Sequence, residues 1–201
     1  MGRLYSVTGV ALAVLGVTAP AFAAGEADAN RSAYIAQIGD RDVAVIEQSA
    51  PGAEARIDQR GDRNRAEIVQ DGTGVARAEA RQVGDLNVAT LHQGGAGDNV
   101  ARLVQTGAGN AAALSQTAAG ALANAAQLTQ TGDGNAMALN QRGGDNEAAL
   151  SQTGDGNAMT ASQIGVGNRL QWAQNGNDLP DLRITQLGGG APLLITQTGG
   201  K

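Results

Sequence analysis

Ala55-Arg56-Ile57-Asp58-Gln59-Arg60-Gly61-Asp62-Arg63-Asn64-Arg65-Ala66-Glu67-Ile68-Val69-Gln70 is the stretch that decides the fold of this chain. Gln59 and Gln70 stand 11 residues apart, and each follows an isoleucine two places back and an alanine four places back. The same beat runs through fifteen copies: Gln37, Gln48, Gln59, Gln70, Gln82, Gln93, Gln105, Gln116, Gln130, Gln141, Gln152, Gln163, Gln174, Gln186 and Gln197. Steps are 11 or 12 residues, apart from one of 14 between Gln116 and Gln130. A fixed period of this kind marks a repeat architecture, in which each unit depends on its neighbours for burial.

Each glutamine has companions at even offsets. Two residues earlier stands Ile35, Ile46, Ile57, Ile68, Leu91, Leu103, Leu114, Leu128, Leu139, Leu150, Trp172, Ile184 or Ile195, with only Ala80 and Ala161 small. Four residues earlier is Ala in ten copies, then Met137, Met159, Leu170, Leu182 and Leu193 in the rest. Six residues earlier is Asn64, Asn87, Asn99, Asn110, Asn124, Asn135, Asn146, Asn157 or Asn168. Two residues later is Gly in all but two copies, Ala50 and Ala118. Residues i, i+2 and i+4 of a strand share one face, so Asn, Ala, Ile/Leu and Gln point together while mixed, mostly polar residues point away. That is the alternation of a half-buried strand of about 5–6 residues. Gly and Asn at the junctions supply turn chemistry, because both tolerate positive φ.

An 11-residue period is also about 3.67 residues per helical turn. Glycine argues against a helix: nearly every period holds one or two, each costing about 1 kcal/mol relative to Ala. No apolar stripe at i, i+3, i+4, i+7 compensates for it.

The N-terminus reads differently. Arg3, the apolar run Val7–Val17 and Ala21-Phe22-Ala23 have the order of a secretory signal, which predicts a signal peptide over 1–23, a short leader over 24–32 and repeats over 33–199. The apolar run is short for a membrane span, and no integral membrane segment is expected after cleavage. Without Arg3 the formal charge is −6, 13 basic against 19 acidic residues, which argues against nucleic acid as a partner. Only Tyr34 and Trp172 remain as aromatics, too few for a stacking platform, and no Cys is present to cross-link an exported chain.

The expected fold is all-β: a β-solenoid of stacked strand-turn-strand rungs, with about 15 short strands in two facing parallel sheets. Two units make one rung, and rungs stack at about 4.8 Å to a height of roughly 35 Å. Ile/Leu and Ala fill the interior, and rows of Gln and Asn run along the stack axis, each amide able to donate and accept. The 14-residue step through Thr117–Ala123 is expected to form a longer or bulged turn. Glu26 to Arg102 holds 22 charged residues and Leu103 to Ile164 only five. Like charges stacked in register repel, so the stretch 103–174 is expected to nucleate assembly, with the first rungs slower. The last strand, Leu193-Leu194-Ile195-Thr196-Gln197, is an uncharged edge of the kind soluble proteins avoid, and reads as a growth surface.

The quoted stretch, together with Leu128-Thr129-Gln130-Thr131-Gly132-Asp133-Gly134-Asn135, resembles the curlin repeat, Gln-x-Gly-x-Gly-Asn-x-Ala-x3-Gln, over about 33–199. The resemblance implies a curli subunit, major or nucleating. Such a subunit is secreted through the periplasm to the bacterial surface and polymerises as functional amyloid in the biofilm matrix and in adhesion. The implied partners are further copies of itself, a companion curli subunit, an outer-membrane export pore and periplasmic accessory proteins. Copies with Ile before Gln in the charged half resemble the nucleating subunit. The Gln-Thr-Gly copies at 105, 130 and 152 resemble the fibre-forming one.

Sites of other kinds find little support. His92 is the only histidine and faces outward, so neither a zinc site nor a nucleophile–His pair can be built, and no enzyme activity, cofactor or metal is expected. Asp40/Asp42 and Asp145/Glu147 read as gatekeepers or turn residues. The Gly-Asp-Gly turns at Gly132 and Gly154 lack the nonapeptide run of calcium-binding repeats, and Trp172 reads as core. The alternative function is a soluble monomeric β-solenoid binding an extended surface such as ice or glycan. Its outward Thr array is interrupted by Glu47, Asp58, Arg81 and His92. A membrane-surface helix would want flanking lysines, and the chain has one.

Overall fold

A computed structural model describes residues 31–199. The expected signal and nearly all of the leader lie outside the described residues. Fifteen strands follow one another: β1 (Ser32–Ile38), β2 (Val43–Gln48), β3 (Glu54–Arg60), β4 (Arg65–Gln70), β5 (Ala76–Val83), β6 (Val88–Gly95), β7 (Asn99–Thr106), β8 (Ala111–Ala118), β9 (Asn124–Thr131), β10 (Ala136–Gly144), β11 (Glu147–Thr153), β12 (Ala158–Val166), β13 (Arg169–Gly176), β14 (Ile184–Leu187) and β15 (Leu193–Gly199). The odd-numbered strands form an eight-stranded sheet and the even-numbered strands a seven-stranded one, each in chain order and parallel throughout. The protein is therefore an all-β solenoid of strand-turn-strand rungs, as the period predicts.

Burial alternates along each strand, as in Asn99–Thr106, where Asn99, Ala101, Leu103 and Gln105 are buried. The inward Ala and Ile/Leu positions make one continuous core from Ile35 to Trp172. Small residues at one site are matched by large ones beside it: Ala161 shares this core with Met159 and Trp172. Ile184 and Ile195, expected as core, are only partly buried against it, because no rung stacks beyond them. Register is strict. Gln stacks on Gln and Ile or Leu on its counterpart, as in Leu103↔Leu128 and Gln105↔Gln130. A slip of one residue would turn every apolar side chain outward.

Two expectations are corrected, one about the connections and one about charge. Asn was expected to supply positive φ, but it does not. In seven of the nine Asn copies the left-handed residue is the one before Asn, namely Arg63 (φ 58), Leu86 (φ 60), Gly109 (φ 67), Gly134 (φ 65), Asp145 (φ 54), Gly156 (φ 66) or Gly167 (φ 76). Asn instead serves as a buried amide, described below. A branched side chain in this conformation carries a steric penalty, and Leu86 is 52% exposed, so nothing is gained from its burial. Leu86→Gly is expected to stabilise the fold by about 1 kcal/mol, read as a rise in the urea midpoint with unchanged slope.

The second correction concerns charge. Within the sheets like charges rarely stack; opposite ones do. Arg77 Nε lies 3.2 Å from Glu54, Arg102 Nε 3.3 Å from Glu79, and Arg169 Nε 3.5 Å from Glu147. In each pair the two residues are direct register partners on adjacent strands. Arg56 lies over the Tyr34 ring at 4.7 Å. Exposed pairs contribute little stability, but their alternation favours one register over its neighbours. The charged half is thus laddered by complementarity, and like charges line up only in the turns.

Candidate functional site

The site is the set of side-chain amides along the two edges of the core. In the odd-numbered sheet Gln37, Gln59, Gln82, Gln105, Gln130, Gln152, Gln174 and Gln197 form an unbroken row. Each Nε2 donates to the Oε1 of the next rung at 2.7–2.9 Å. In the other sheet Gln48, Gln70, Gln93, Gln116, Gln141, Gln163 and Gln186 do the same at 2.8–2.9 Å. The second Nε2 hydrogen reaches across the core. Gln82 donates to Arg65 O, Gln105 to Val88 O and Gln116 to Val100 O, each near the start of the preceding strand on the facing sheet. An interior Gln therefore stitches two rungs and two sheets with every polar atom satisfied, as full burial requires.

The asparagines run the other way. Asn87, Asn110, Asn135 and Asn157 each donate their backbone N–H to the Oδ1 of the Asn one rung earlier at 3.0–3.1 Å. Their side-chain Nδ2, and that of Asn64, donates to a turn carbonyl one rung later, Gly84 O for Asn64 and Gly107 O for Asn87. A second row, Asn124, Asn146 and Asn168, repeats this in the other turn. Asn99 belongs to this row by sequence but is cut off from it. The 14-residue step enters just before Asn124 as the expected longer turn, Asn124 N–H goes to Asp98 O, and Asn99 Oδ1 is left buried without a partner. Asn168 Oδ1 ends the row unpartnered, with Ala191 in the next place of the repeat.

A third row was missed. Asp62, Asp85, Asp133, Asp155 and Asn177 each accept the backbone N–H of the residue one rung earlier, from Asp40, Asp62, Ala108, Asp133 and Asp155 respectively, at 2.7–2.9 Å. The signal was available. Asp or Asn stands three residues after Gln in alternate copies only, so it appears at the doubled period, which is the period of the rung.

Asp42 occupies an Asn place at the bottom of the first Asn row. It is 4% exposed, its Oδ1 accepts Asn64 N–H at 2.7 Å, and its Oδ2 has no partner. Where the Asn residues above present an N–H to the next turn, Asp42 presents an oxygen. Burial pushes its carboxyl pKa up, Asp62 and Asp85 add to the rise, and the Asn64 hydrogen bonds do not offset it. A raised folded-state pKa favours the protonated acid. The stability this contributes is present below the ordinary carboxyl value and is lost as pH rises through the raised one. Asp42→Asn is therefore expected to stabilise the first rungs at neutral pH by about 1 kcal/mol, with the gain shrinking in acid. Hydrogen exchange of the β2 and β4 amides at two pH values measures it.

Asp181 behaves oppositely. Burial raises its pKa, but the Thr160 hydroxyl, the backbone N–H groups of Arg183 and Thr160, both at 2.9 Å, and the Arg183 charge outweigh it and leave the carboxyl below its usual range. Its contribution is held above the ordinary carboxyl value and is lost as pH falls through the lowered one.

The remaining candidates fall outside the rows. His92 is outward and half-buried, and its Nε2 meets Asp71 Oδ2 at 3.0 Å. Trp172 is buried in the core, and its indole N–H donates to Gln197 Oε1 at 2.9 Å, beside the bond from Gln174. Among the described residues no group of three or more His, Cys, Asp or Glu could hold a metal ion.

No curated protein and no solved structure matches the chain. Residues 132–165 match the family model of the curlin associated repeat. That segment covers β10, β11 and nearly all of β12, and holds Gln141, Gln152 and Gln163 with Asn135, Asn146 and Asn157 in their rows. The segment 132–165 is thus similar to the curlin associated repeat, and the rungs above and below it carry the same residue types in the same places.

Proposed function

We propose that this chain is a self-assembling structural subunit of extracellular curli-type functional amyloid fibres, serving biofilm matrix and adhesion and growing by rung-on-rung β-stacking. The observation that carries this reading is the pair of bare ends. β1 and β2 at one end, β14 and β15 at the other, each have a neighbour on one side only. Among the described residues nothing donates to Gln37 Oε1 or Gln48 Oε1, while Gln186 Nε2 has one described acceptor, Arg169 O. One end offers acceptors and the other a donor, spaced as they are between every pair of rungs within the chain. Curlin repeats are repeats of structural fibre subunits, which supports a structural role.

Residues 1–23 act as the secretory signal and 24–32 as the leader in this reading, and 33–199 form the fibre unit. Partners are further copies of the chain and a companion subunit, delivered through an outer-membrane pore with periplasmic accessory proteins. The test is dye binding and electron microscopy on the chain lacking 1–23. Fibres with an axial spacing of about 4.8 Å are expected; a monomer unchanged for days at tens of micromolar would instead support the ligand-binding solenoid. Removing 106–174, which joins Gln105 to Asn175 in phase, is expected to lengthen the assembly lag several-fold, and an unchanged lag would refute nucleation by that stretch.

A further inference from the structure

Eight strands stand in one sheet and seven in the other, so the described solenoid ends on a half rung. β15 has no partner strand across the core at its own level, and above β14 the seven-stranded sheet stops one strand short. We propose that successive copies stack head to tail with each turned half a revolution about the solenoid axis, so that β1 of the next copy pairs with β14 and its β2 with β15. This rests on the self-assembly reading above and specifies the surface and partner that reading needs.

Three observations lead there. Continuity is the first. Within the chain each strand lies on the one two places earlier, so a sixteenth strand would lie on β14. β1 placed there fills the step, and every level then holds two strands. Stacking without the turn puts β1 on β15 and leaves one level of the shorter sheet empty at every junction. The Ile184–Leu187 backbone and the partly buried Ile184 would face a gap, and unpaired backbone groups enclosed in a stack are costly.

Amide polarity is the second. Both Gln rows donate in the direction of rising residue number, so Gln186 and Gln197 meet the free Oε1 atoms of Gln37 and Gln48 in a head-to-tail contact. A tail-to-tail contact would set donors against donors.

The third is the outward face. Leu187 is 74% exposed and Ile38 54%, and each follows its Gln by one residue. Leu187 already lies in register with Ile164, itself exposed. The half-turn places Ile38 on Leu187 and extends this apolar column. It also places Val45 on Leu194, which is 70% exposed; without the turn Tyr34 would lie there instead, so that position is covered in either arrangement. Without the turn, Ile38 falls on Thr198 and the next residue in the Leu187 column is Ser49.

The chain has no cysteine, so single cysteines report the junction directly. In-register Cα atoms on adjacent strands are about 4.8 Å apart, inside the range a disulfide spans. Fibres are grown from an equal mixture of L187C and I38C chains, and separately of T198C and I38C chains, one partner of each mixture carrying a size tag. All three positions are exposed, so the fold is not at stake. Oxidation is expected to give the mixed dimer in the L187C/I38C fibres and not in the T198C/I38C fibres. The reverse result would establish stacking without the turn and overturn the proposal. Fibres in which neither pair cross-links would also overturn it, showing that the ends do not meet edge to edge. If no fibres form from either mixture or from the unsubstituted chain, the self-assembly reading itself fails.

Discussion

Gly132→Ala is expected to cut the solenoid in two at the level of β9. Gly132 follows Gln130 by two residues with φ +113, and a Cβ there would sit on the carbonyl oxygen of Gly154 one rung later, with the Gly154 carbonyl carbon at 2.7 Å. The obstacle is backbone, itself held in the next rung by its own ladder, so neither side can give way. The loss should exceed about 4 kcal/mol, combining the left-handed penalty with a clash that has no relaxed solution. A control lies two residues away. Gly134 also has positive φ, +65, but a Cβ there meets nothing within 4 Å. Gly134→Ala should cost only about 1 kcal/mol. Denaturant unfolding of both variants decides the matter, and a Gly132→Ala cost no larger than that of Gly134→Ala would refute the close-approach explanation. The same argument extends along the column, where Gly84 faces Gly107 O and Gly154 faces Gly176 O.

Gln116→Leu is the second large expected loss, although leucine is apolar and close in size. Gln116 is fully buried and makes three bonds: it accepts from Gln93 Nε2 at 2.9 Å and donates to Gln141 Oε1 at 2.8 Å and Val100 O at 3.1 Å. Leucine fills the space but leaves those three groups unpaired in the interior. At about 1–3 kcal/mol for each orphaned group, the total is roughly 3–6 kcal/mol after partial relaxation. Gln48→Leu, at the open end, strands one buried acceptor, Gln70 Oε1, and the Ser32 O of an exposed residue, and should cost about 1–2 kcal/mol. The ranking of the two midpoints tests the ladder. Equal losses would mean the row contributes through side-chain volume and not through its hydrogen bonds.

Much of this was legible in the chain because the repeat states the same geometry fifteen times. The even offsets of Asn, Ala, Ile/Leu and Gln placed all four on one face, and Gly two residues beyond Gln marked the turn. What escaped was whatever lives at the doubled period. The Asp62–Asp85 and Asp133–Asp155 contacts belong to one kind of turn only, and averaging over single repeats erased them. The pairing of Glu54 with Arg77 and Glu79 with Arg102 escaped for a related reason. It joins residues 23 apart in sequence, and charge counted by segment cannot show what stacks on what. Positive φ was assigned to Asn by propensity, whereas the residue before Asn takes the strain and the amide is kept for the interior. The 14-residue step hints at the discontinuity at Asn99, but the atom it strands is set by how the longer turn folds back, which spacing alone does not specify.

The opposed sense of the two amide rows has a further consequence. In the Gln rows every side-chain carbonyl points toward the beginning of the chain, and in the Asn rows every one points toward its end. Rows aligned one way alone would add head to tail into an axial macrodipole, as aligned peptide units do in a helix. Here one set offsets part of the other. Electrostatic strain therefore grows little as rungs accumulate, and a long stack charges its two ends far less than its length would suggest.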